Sequence, residues 1–314
     1  MVPLSDRPRV AALATLARRL GGGLLTALAA VTLTFFALRL AAGDPIASLL
    51  SQGLTTPDQA ELIRHRLGYD LPLVQQYFLF LKHLAKGDFG VSLYSGQSVS
   101  AIIGTQMTST IQLVSLSLTF ALPLGILLGS VSTWKTRPSV QRIATGLSGL
   151  AISLPVATTG VISLLLVSLL ARGQIRGVQL WLPALVLGFA AAGPFARAVH
   201  SGLDTSLSSP FMLAAKARGL RRGRRMYWHA LRPALPAAIA LIALEAAFLF
   251  AGAVVTETVF SRPGLGRTLV RSILQADFPV AQAIVALAAL IYVGSQVIAD
   301  GLGWILDPRL RESD

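Results

Sequence analysis

Six apolar runs, each long enough to cross a bilayer, decide what this chain can fold into. A spanning helix needs about 20 predominantly apolar residues, and residues 20–42, 111–131, 143–170, 180–199, 235–255 and 280–306 meet that requirement. Lipid offers no hydrogen bonds to exposed peptide groups, so runs of this length become helices that satisfy their own backbones. The expectation is an all-α integral membrane protein with six transmembrane helices, organised as one domain over residues 1–314. No internal repeat or low-complexity tract interrupts it. Charged residues make up 13% of the sequence, against about 25% in soluble domains. Membrane lipid is therefore the solvent for much of the surface. Pro155 inside the third run predicts a kink, and Gly193-Pro194 interrupts the fourth. Arg18 and Arg19 precede the first run as they would in a signal peptide. That run is too long for one and five more follow, so it reads as an uncleaved anchor.

Lys and Arg in the loops set the orientation. Residues 1–19 carry Arg7, Arg9, Arg18 and Arg19, and the 132–142 loop carries Lys135, Arg137 and Arg142. The 201–233 loop carries seven basic residues from Lys216 to Arg232, and the tail carries Arg309 and Arg311. With six spans these segments share one side, so both termini are expected in the cytoplasm. The net charge of +13 is thus read as membrane topology, not as a nucleic-acid surface. On the opposite side, the extracytoplasmic segment 43–102 mixes Arg64, Arg66, Lys82 and Lys86 with Asp44, Asp58, Glu61, Asp70 and Asp88. Residues 71–81 read there as an amphipathic or partly buried helix, and Gly87-Asp88-Phe89-Gly90 as a turn.

The 201–233 loop contains an ordered local signal. Ser209 is a good N-cap, and Pro210 suits the first helical position because its missing N–H would have been unpaired anyway. Gly219 can take the left-handed conformation that ends a helix. Residues 208–225 therefore read as a short capped helix, a bend and a second basic helix on the cytoplasmic face. The positive-inside rule alone accounts for the charges. The order of cap, small Ala214 and Ala215, and Gly bend adds a shape that a cytosolic partner can grip, with the two alanines letting a helix seat closely in a groove.

Several chemistries are excluded. There is no cysteine, hence no disulfide, thiolate metal site or cysteine nucleophile. No G-x-x-x-x-G-K-[ST] loop is present to cradle nucleotide phosphates. His65, His83, His200 and His229 are scattered and lack metal-ligand spacing. The chain reads as a transport subunit, not an enzyme, with no cofactor or metal of its own and with energy supplied elsewhere.

At this point the sequence resembles, essentially end to end, the permease subunits of bacterial ABC importers for dipeptides, oligopeptides and nickel complexes. Ala214-Ala215-Lys216-Ala217-Arg218-Gly219-Leu220 lies where the importer signature E-A-A-x-x-x-G falls, and His229-Ala230-Leu231-Arg232-Pro233-Ala234-Leu235 matches its continuation. Gly43-Asp44-Pro45, Leu67-Gly68-Tyr69-Asp70-Leu71-Pro72-Leu73 and Gly87-Asp88-Phe89-Gly90-Val91-Ser92 are similar to family patterns on the outer side. So are Glu257-Thr258-Val259-Phe260-Ser261-Arg262-Pro263-Gly264-Leu265-Gly266 and Asp307-Pro308-Arg309.

The resemblance implies the type I ABC importer permease fold. It also implies a homologous second permease, two cytoplasmic ATPases that bind ATP and Mg, and an extracytoplasmic solute-binding protein. Residues Leu213, Ala214, Ala215, Lys216, Ala217, Arg218, Gly219 and Leu220 would form the coupling helix that docks on an ATPase. Leu213 stands where many importers have Glu, or Arg in peptide permeases. Ser153-Leu154-Pro155-Val156-Ala157 lacks a polar and aromatic pair after its proline, and the 171–179 connection is short for a peptide permease. The implied cargo is a di- or oligopeptide or a related small solute. A nickel or metal–metallophore importer is the alternative within the family, and an autonomous channel or secondary transporter the alternative outside it.

Two acids fall in the fifth span. An ionisable group at membrane depth is costly and faces a cavity or a partner, so Glu245 and Glu257 are candidate residues of the translocation pathway. For Glu245 the second reading is a structural hydrogen-bond partner at the interface with the other permease. Glu257 lies 12 residues further on, about 120° around the helix, and family position favours a structural or gating role. Arg262, Arg267, Arg271 and Asp277 mark the 261–278 stretch as a re-entrant or surface helix at the outer mouth.

Overall fold

The computed structural model describes residues 7–170 and 178–306. The Asp307-Pro308-Arg309 motif, Arg311 and residues 171–177 of the connection before the fourth span lie outside the described residues. Thirteen α-helices are described: α1 (Arg7–Ala42), α2 (Pro45–Ser51), α3 (Pro57–Leu67), α4 (Leu73–Ala85), α5 (Val99–Val131), α6 (Pro138–Ser153), α7 (Val156–Leu170), α8 (Val178–Leu207), α9 (Pro210–Ala217), α10 (Arg222–Arg224), α11 (Leu231–Val259), α12 (Leu265–Leu274) and α13 (Phe278–Leu306). A π-helical turn, Arg225–Ala230, joins α10 to α11.

Among the described residues, four single helices are long and apolar enough to cross a membrane, within Arg18–Ala41, Val99–Val131, Leu180–Leu207 and Phe278–Gly303. The pair α6–α7 makes a fifth crossing only as a unit bent by 107°. The 29-residue α11 is also long enough, and Glu245 is the only charge between residues 235 and 255.

Three expected boundaries change. The third run is two helices, because Pro155 has no N–H and pushes Leu154 out of helical geometry to φ −83°, ψ 124°. The fourth is not interrupted: α8 runs through both Pro183 and Pro194. The second begins at Val99, twelve residues before the apolar run, and its first turns pack on Leu265 and Val280 outside the membrane-length stretch.

Helix association in lipid gains little from transferring apolar surface, so close packing decides which helices pair. The central pair is α5 with α8, where small residues let the backbones approach: a Cβ on Gly188 would come within 2.7 Å of the Ser117 carbonyl oxygen. Leu113, Ala121, Ala184, Phe195, Leu249 and Ala253 are buried where α5, α8 and α11 meet. The first and last spans run antiparallel: Arg19 is paired with Asp300 at one end, and Leu38 packs with Phe278 at the other.

The ends of the bundle differ. One carries α2–α4 and α12, the other α9, α10 and the π turn. Local chemistry shapes the first end. Asp44 caps α2 by accepting from the Ile46 N–H at 3.0 Å and is ion-paired with Arg64. Thr56 and Gln59 form a reciprocal capping box on α3, which ends at Gly68 in the left-handed region. The expected amphipathic helix is α4. It crosses the end of α1, with Tyr77 Oη 2.7 Å from Thr32 Oγ1 and with Tyr77 and Phe80 packed on the Phe35 ring.

Candidate functional site

The expected short helix and bend are present at 210–219, but the side-chain cap expected of Ser209 is not. Pro210 opens α9, but the Ser209 hydroxyl donates backward to the Ser206 carbonyl at 2.5 Å instead of capping. The helix ends at Gly219, whose φ of +72° lies in the left-handed region that a Cβ disfavours. Nothing lies within 4 Å of a Cβ built there, so backbone conformation, not space, demands the glycine.

The short helix presents two faces. Met212 is buried and Ala215 half-buried, both against Val199, Leu203, Met226 and Ala230. Phe211 and Leu213 point away, at 49% and 65% exposure, with Ala214, Lys216, Ala217 and Arg218 exposed beside them. The expectation that Ala214 and Ala215 act together is corrected by this split. Ala215 serves the chain's own packing, because at helical spacing it falls on the Met212 side. Ala214 belongs to the outward face.

The segment after Gly219 is fastened to the turn between α5 and α6. Arg222 Nη1 donates to Thr136 Oγ1 at 2.7 Å and Nη2 to the Thr133 carbonyl at 3.3 Å. Ser132 Oγ lies 3.0 Å from His200 Nδ1, which ties the same turn to the end of α8. The π turn supplies Met226 to the buried side and exposes Tyr227 and Trp228. The hydrogen bonds of a π turn span one residue more than those of an α-helix, and such turns are a recurrent feature of functional sites. Sequence reading missed both the Arg222 attachment and the π turn. The only signal for the first was the hydroxyl-rich, basic turn Thr133-Trp134-Lys135-Thr136-Arg137.

At the opposite end Glu257 is the centre of a hydrogen-bonded knot. Its carboxylate accepts from Thr110 Oγ1 at 2.6 Å, from the Gly266 N–H at 2.8 Å and from the Arg267 N–H at 3.2 Å. Thr110 Oγ1 in turn accepts from the Leu265 N–H at 2.9 Å, and Arg262 Nη1 donates to the Ser109 carbonyl at 2.6 Å. The first backbone N–H groups of α12 are thereby satisfied by a carboxylate, which also complements the positive end of the helix. Gly266 packs against the α11 backbone at Val254, where a side chain would collide. The expected surface helix at 261–278 is α12. It is held at its far end by Asp277, which accepts from Ser92 Oγ at 2.5 Å and from the Leu93 N–H at 3.0 Å. Thr110 was not anticipated, and Asp277 was read only as one charge of the outer-mouth stretch, since their partners lie 147 and 185 residues away.

Glu245 is buried at 8% exposure and makes no hydrogen bond among the described residues. It lies one helical turn from both Leu241 and Leu249, which pack on the α5–α8 core, so it shares their side of α11. Glu245 and Glu257 are thus both buried but in separate surroundings. Among the described residues no group of three His, Asp or Glu side chains is placed to hold a metal ion.

This arrangement is that of a transporter's membrane subunit. The solved structure of an amino acid ABC transporter matches it with a TM-score of 0.51, covering 67% of this chain and 94% of that one at 15% identity, which shows the fold. Residues 121–312 match the binding-protein-dependent transport system inner membrane component family, and residues 12–122 match the N-terminal model of the same transport components. The chain belongs to that family. It is 37% identical to the dipeptide transport system permease of Lactococcus lactis over 94% of this chain and 98% of the relative. It is 32% identical to the glutathione transport system permease of Salmonella choleraesuis (94% and 97%), and 31% identical to the di/tripeptide transport system permease of Pseudomonas aeruginosa (95% and 99%).

Proposed function

We propose that this chain is the membrane-spanning permease subunit of an ATP-driven, binding-protein-dependent importer of di- or oligopeptides in the bacterial inner membrane. It forms half of the pathway with a homologous second permease. The observation that carries the cargo class is near full-length similarity to permeases named for dipeptides, di/tripeptides and glutathione. None of these names points to nickel, and a family of binding-protein-dependent transporters leaves no place for an autonomous channel.

In this reading α9 is the coupling helix. Its inward residues Met212 and Ala215 attach it to the bundle, while Phe211, Leu213 and Ala214 offer an apolar face flanked by Lys216 and Arg218 to an ATPase bearing ATP and Mg. Leu213 replaces a charged signature residue with apolar contact area. Movement of the ATPases is passed through Gly219 and Arg222 to the α5–α6 turn. Both termini face the cytoplasm, on the side of α9, and the α2–α4 and α12 end faces the binding protein. Glu257 clasps the outer end of α11 to α5 and α12, and Glu245 is a structural polar group on the α8 side of α11.

The test is reconstitution of the complete importer with Gly219→Val in this subunit. Valine at a left-handed position deforms the elbow, at roughly 1–2 kcal/mol or more. The expected result is normal assembly, ATP hydrolysis no longer stimulated by loaded binding protein, and loss of peptide uptake. Unchanged uptake together with unchanged stimulation would falsify the coupling assignment.

A further inference from the structure

A cavity of about 540 Å³ lies at the α2–α4 end of the bundle, between α4, the end of α1 and the start of α13. That volume is within the usual range for small-molecule pockets, about 300–1,000 Å³. Its apolar wall includes Leu79, Phe80, Leu84 and Phe89. Its polar lining is rich in donors that lack acceptors.

The Arg39 guanidinium is half-buried over the Phe35 ring, 3.5 Å from its centroid. It donates Nε to Gln76 Oε1 at 3.1 Å and Nη1 to the Phe35 carbonyl at 3.3 Å, and among the described residues no carboxylate pairs with it. Gln282 also lines the cavity. It is 6% exposed, and its amide nitrogen Nε2 has no hydrogen-bond partner among the described residues. The Tyr69 hydroxyl, kept protonated by burial with its pKa pushed up to about 12, is a third donor on the same wall. The one acid there, Asp88, is already committed to His83 Nδ1 at 2.8 Å and the Gly90 N–H at 3.0 Å. Gln76 is committed as well, with Oε1 accepting from Arg39 and Nε2 donating to the Tyr69 and Leu71 carbonyls.

An unpaired cation and an orphaned buried amide on one cavity wall call for an anion with several acceptor oxygens. The position says which kind. Arg39 lies three residues before the end of a spanning helix, at headgroup depth. Beside it, Leu40 on α1 and Phe78 on α4 are exposed apolar side chains on the bundle's periphery, where acyl chains run. We infer that this cavity is a phospholipid site, with the phosphodiester of a headgroup from the adjacent leaflet held by Arg39 and Gln282 and the glycerol and upper chains lying on the aromatic wall. The bound lipid would brace α4 against α1 and α13, independently of the cargo route.

The experiment is native mass spectrometry of the importer purified with all its subunits, using stepwise detergent delipidation and added phosphatidylglycerol. The wild-type chain is expected to retain one more phospholipid than Gln282→Leu or Arg39→Gln, with apparent affinity reduced about tenfold or more in each variant. Inorganic phosphate at millimolar concentration should leave that lipid in place. Gln282→Leu removes no hydrogen bond among the described residues, so its thermal midpoint should match wild type and keep the comparison valid. Equal lipid retention in all three proteins overturns the site. So does displacement by inorganic phosphate alone, which indicates a free-anion site, or weakened binding-protein docking with lipid retention unchanged.

Discussion

The Thr110 hydroxyl and the Glu257 carboxylate are 2.6 Å apart although 147 residues separate them in the chain. Through this pair α5 and α11 are joined at the end of the bundle, and because Thr110 also accepts from the Leu265 N–H, α12 is joined with them. Thr110→Val keeps the shape but leaves a buried N–H and a buried carboxylate each one bond short. Such orphaned groups cost about 1–3 kcal/mol apiece. The variant should unfold at a clearly lower temperature in detergent, whereas Thr110→Ser should recover most of the loss. A midpoint for Thr110→Val equal to wild type would remove the knot from the stability of the fold.

Arg222 gives a different expectation. Its bonds to Thr136 and the Thr133 carbonyl are at the surface, so Arg222→Ala should lower stability by no more than about 0.5–1.5 kcal/mol. Its effect should be on transmission: more ATP hydrolysed per peptide taken up, with subunit assembly intact. Measuring both rates on the same proteoliposomes checks this, and a wild-type ratio contradicts the attachment's role.

For Glu245 the packing argument favours a structural role. Glu245→Gln retains size and hydrogen-bonding capacity, and peptides of positive, neutral and negative charge should all enter within about twofold of wild-type rates, less than the roughly 1.4 kcal/mol that a tenfold change represents. A selective loss of cationic peptides would move this residue into the cargo route.

Two exposed carboxylates outside the membrane set an acid response. The hydrogen bond from His65 holds Asp70 below the usual carboxylate range, and the Gly90 N–H followed by His83 does the same for Asp88. A depressed folded pKa contributes stability that is present above the unfolded value near about 4 and is lost as pH falls through the folded value. Hydrogen exchange at residues 83–90, corrected for intrinsic rates, should therefore accelerate only below about pH 4. Asp88→Asn should show the faster rate at neutral pH as well.

Much of the local structure was legible in the sequence. Apolar runs, Pro155, Pro210 and Gly219 each act through neighbours within a few residues, and each produced the helix, break, helix start or bend expected of it, whereas the cap expected of Ser209 did not form. The start of α5 was not legible because residues 99–110 mix polar and apolar types and extend the helix beyond the membrane-length run. Pro194 misled because α8 is buried among its neighbours, and surrounding packing can carry a helix through a missing hydrogen bond. Thr110 and Gln282 were invisible for a different reason, and Asp277 and Arg222 showed only as charges of an outer-mouth stretch and a basic loop. Thr110, Asp277 and Arg222 matter through partners brought close by tertiary folding, and Gln282 through a cavity that folding forms.

The break between α6 and α7 has a consequence for where water must go. Pro155 returns no N–H to the Ala151 carbonyl, and just past the point where Ala151 is buried beside Gly193 the backbone turns out of the helix through the exposed residues 152–155. Peptide oxygens freed at membrane depth are tolerated only against other protein or against water. Neither α6, with 16 residues, nor α7, with 15, is long enough to cross a bilayer alone. The bend at Leu154 therefore falls inside the crossing that the two make together, and its freed carbonyls need a protein or water neighbour there in place of lipid.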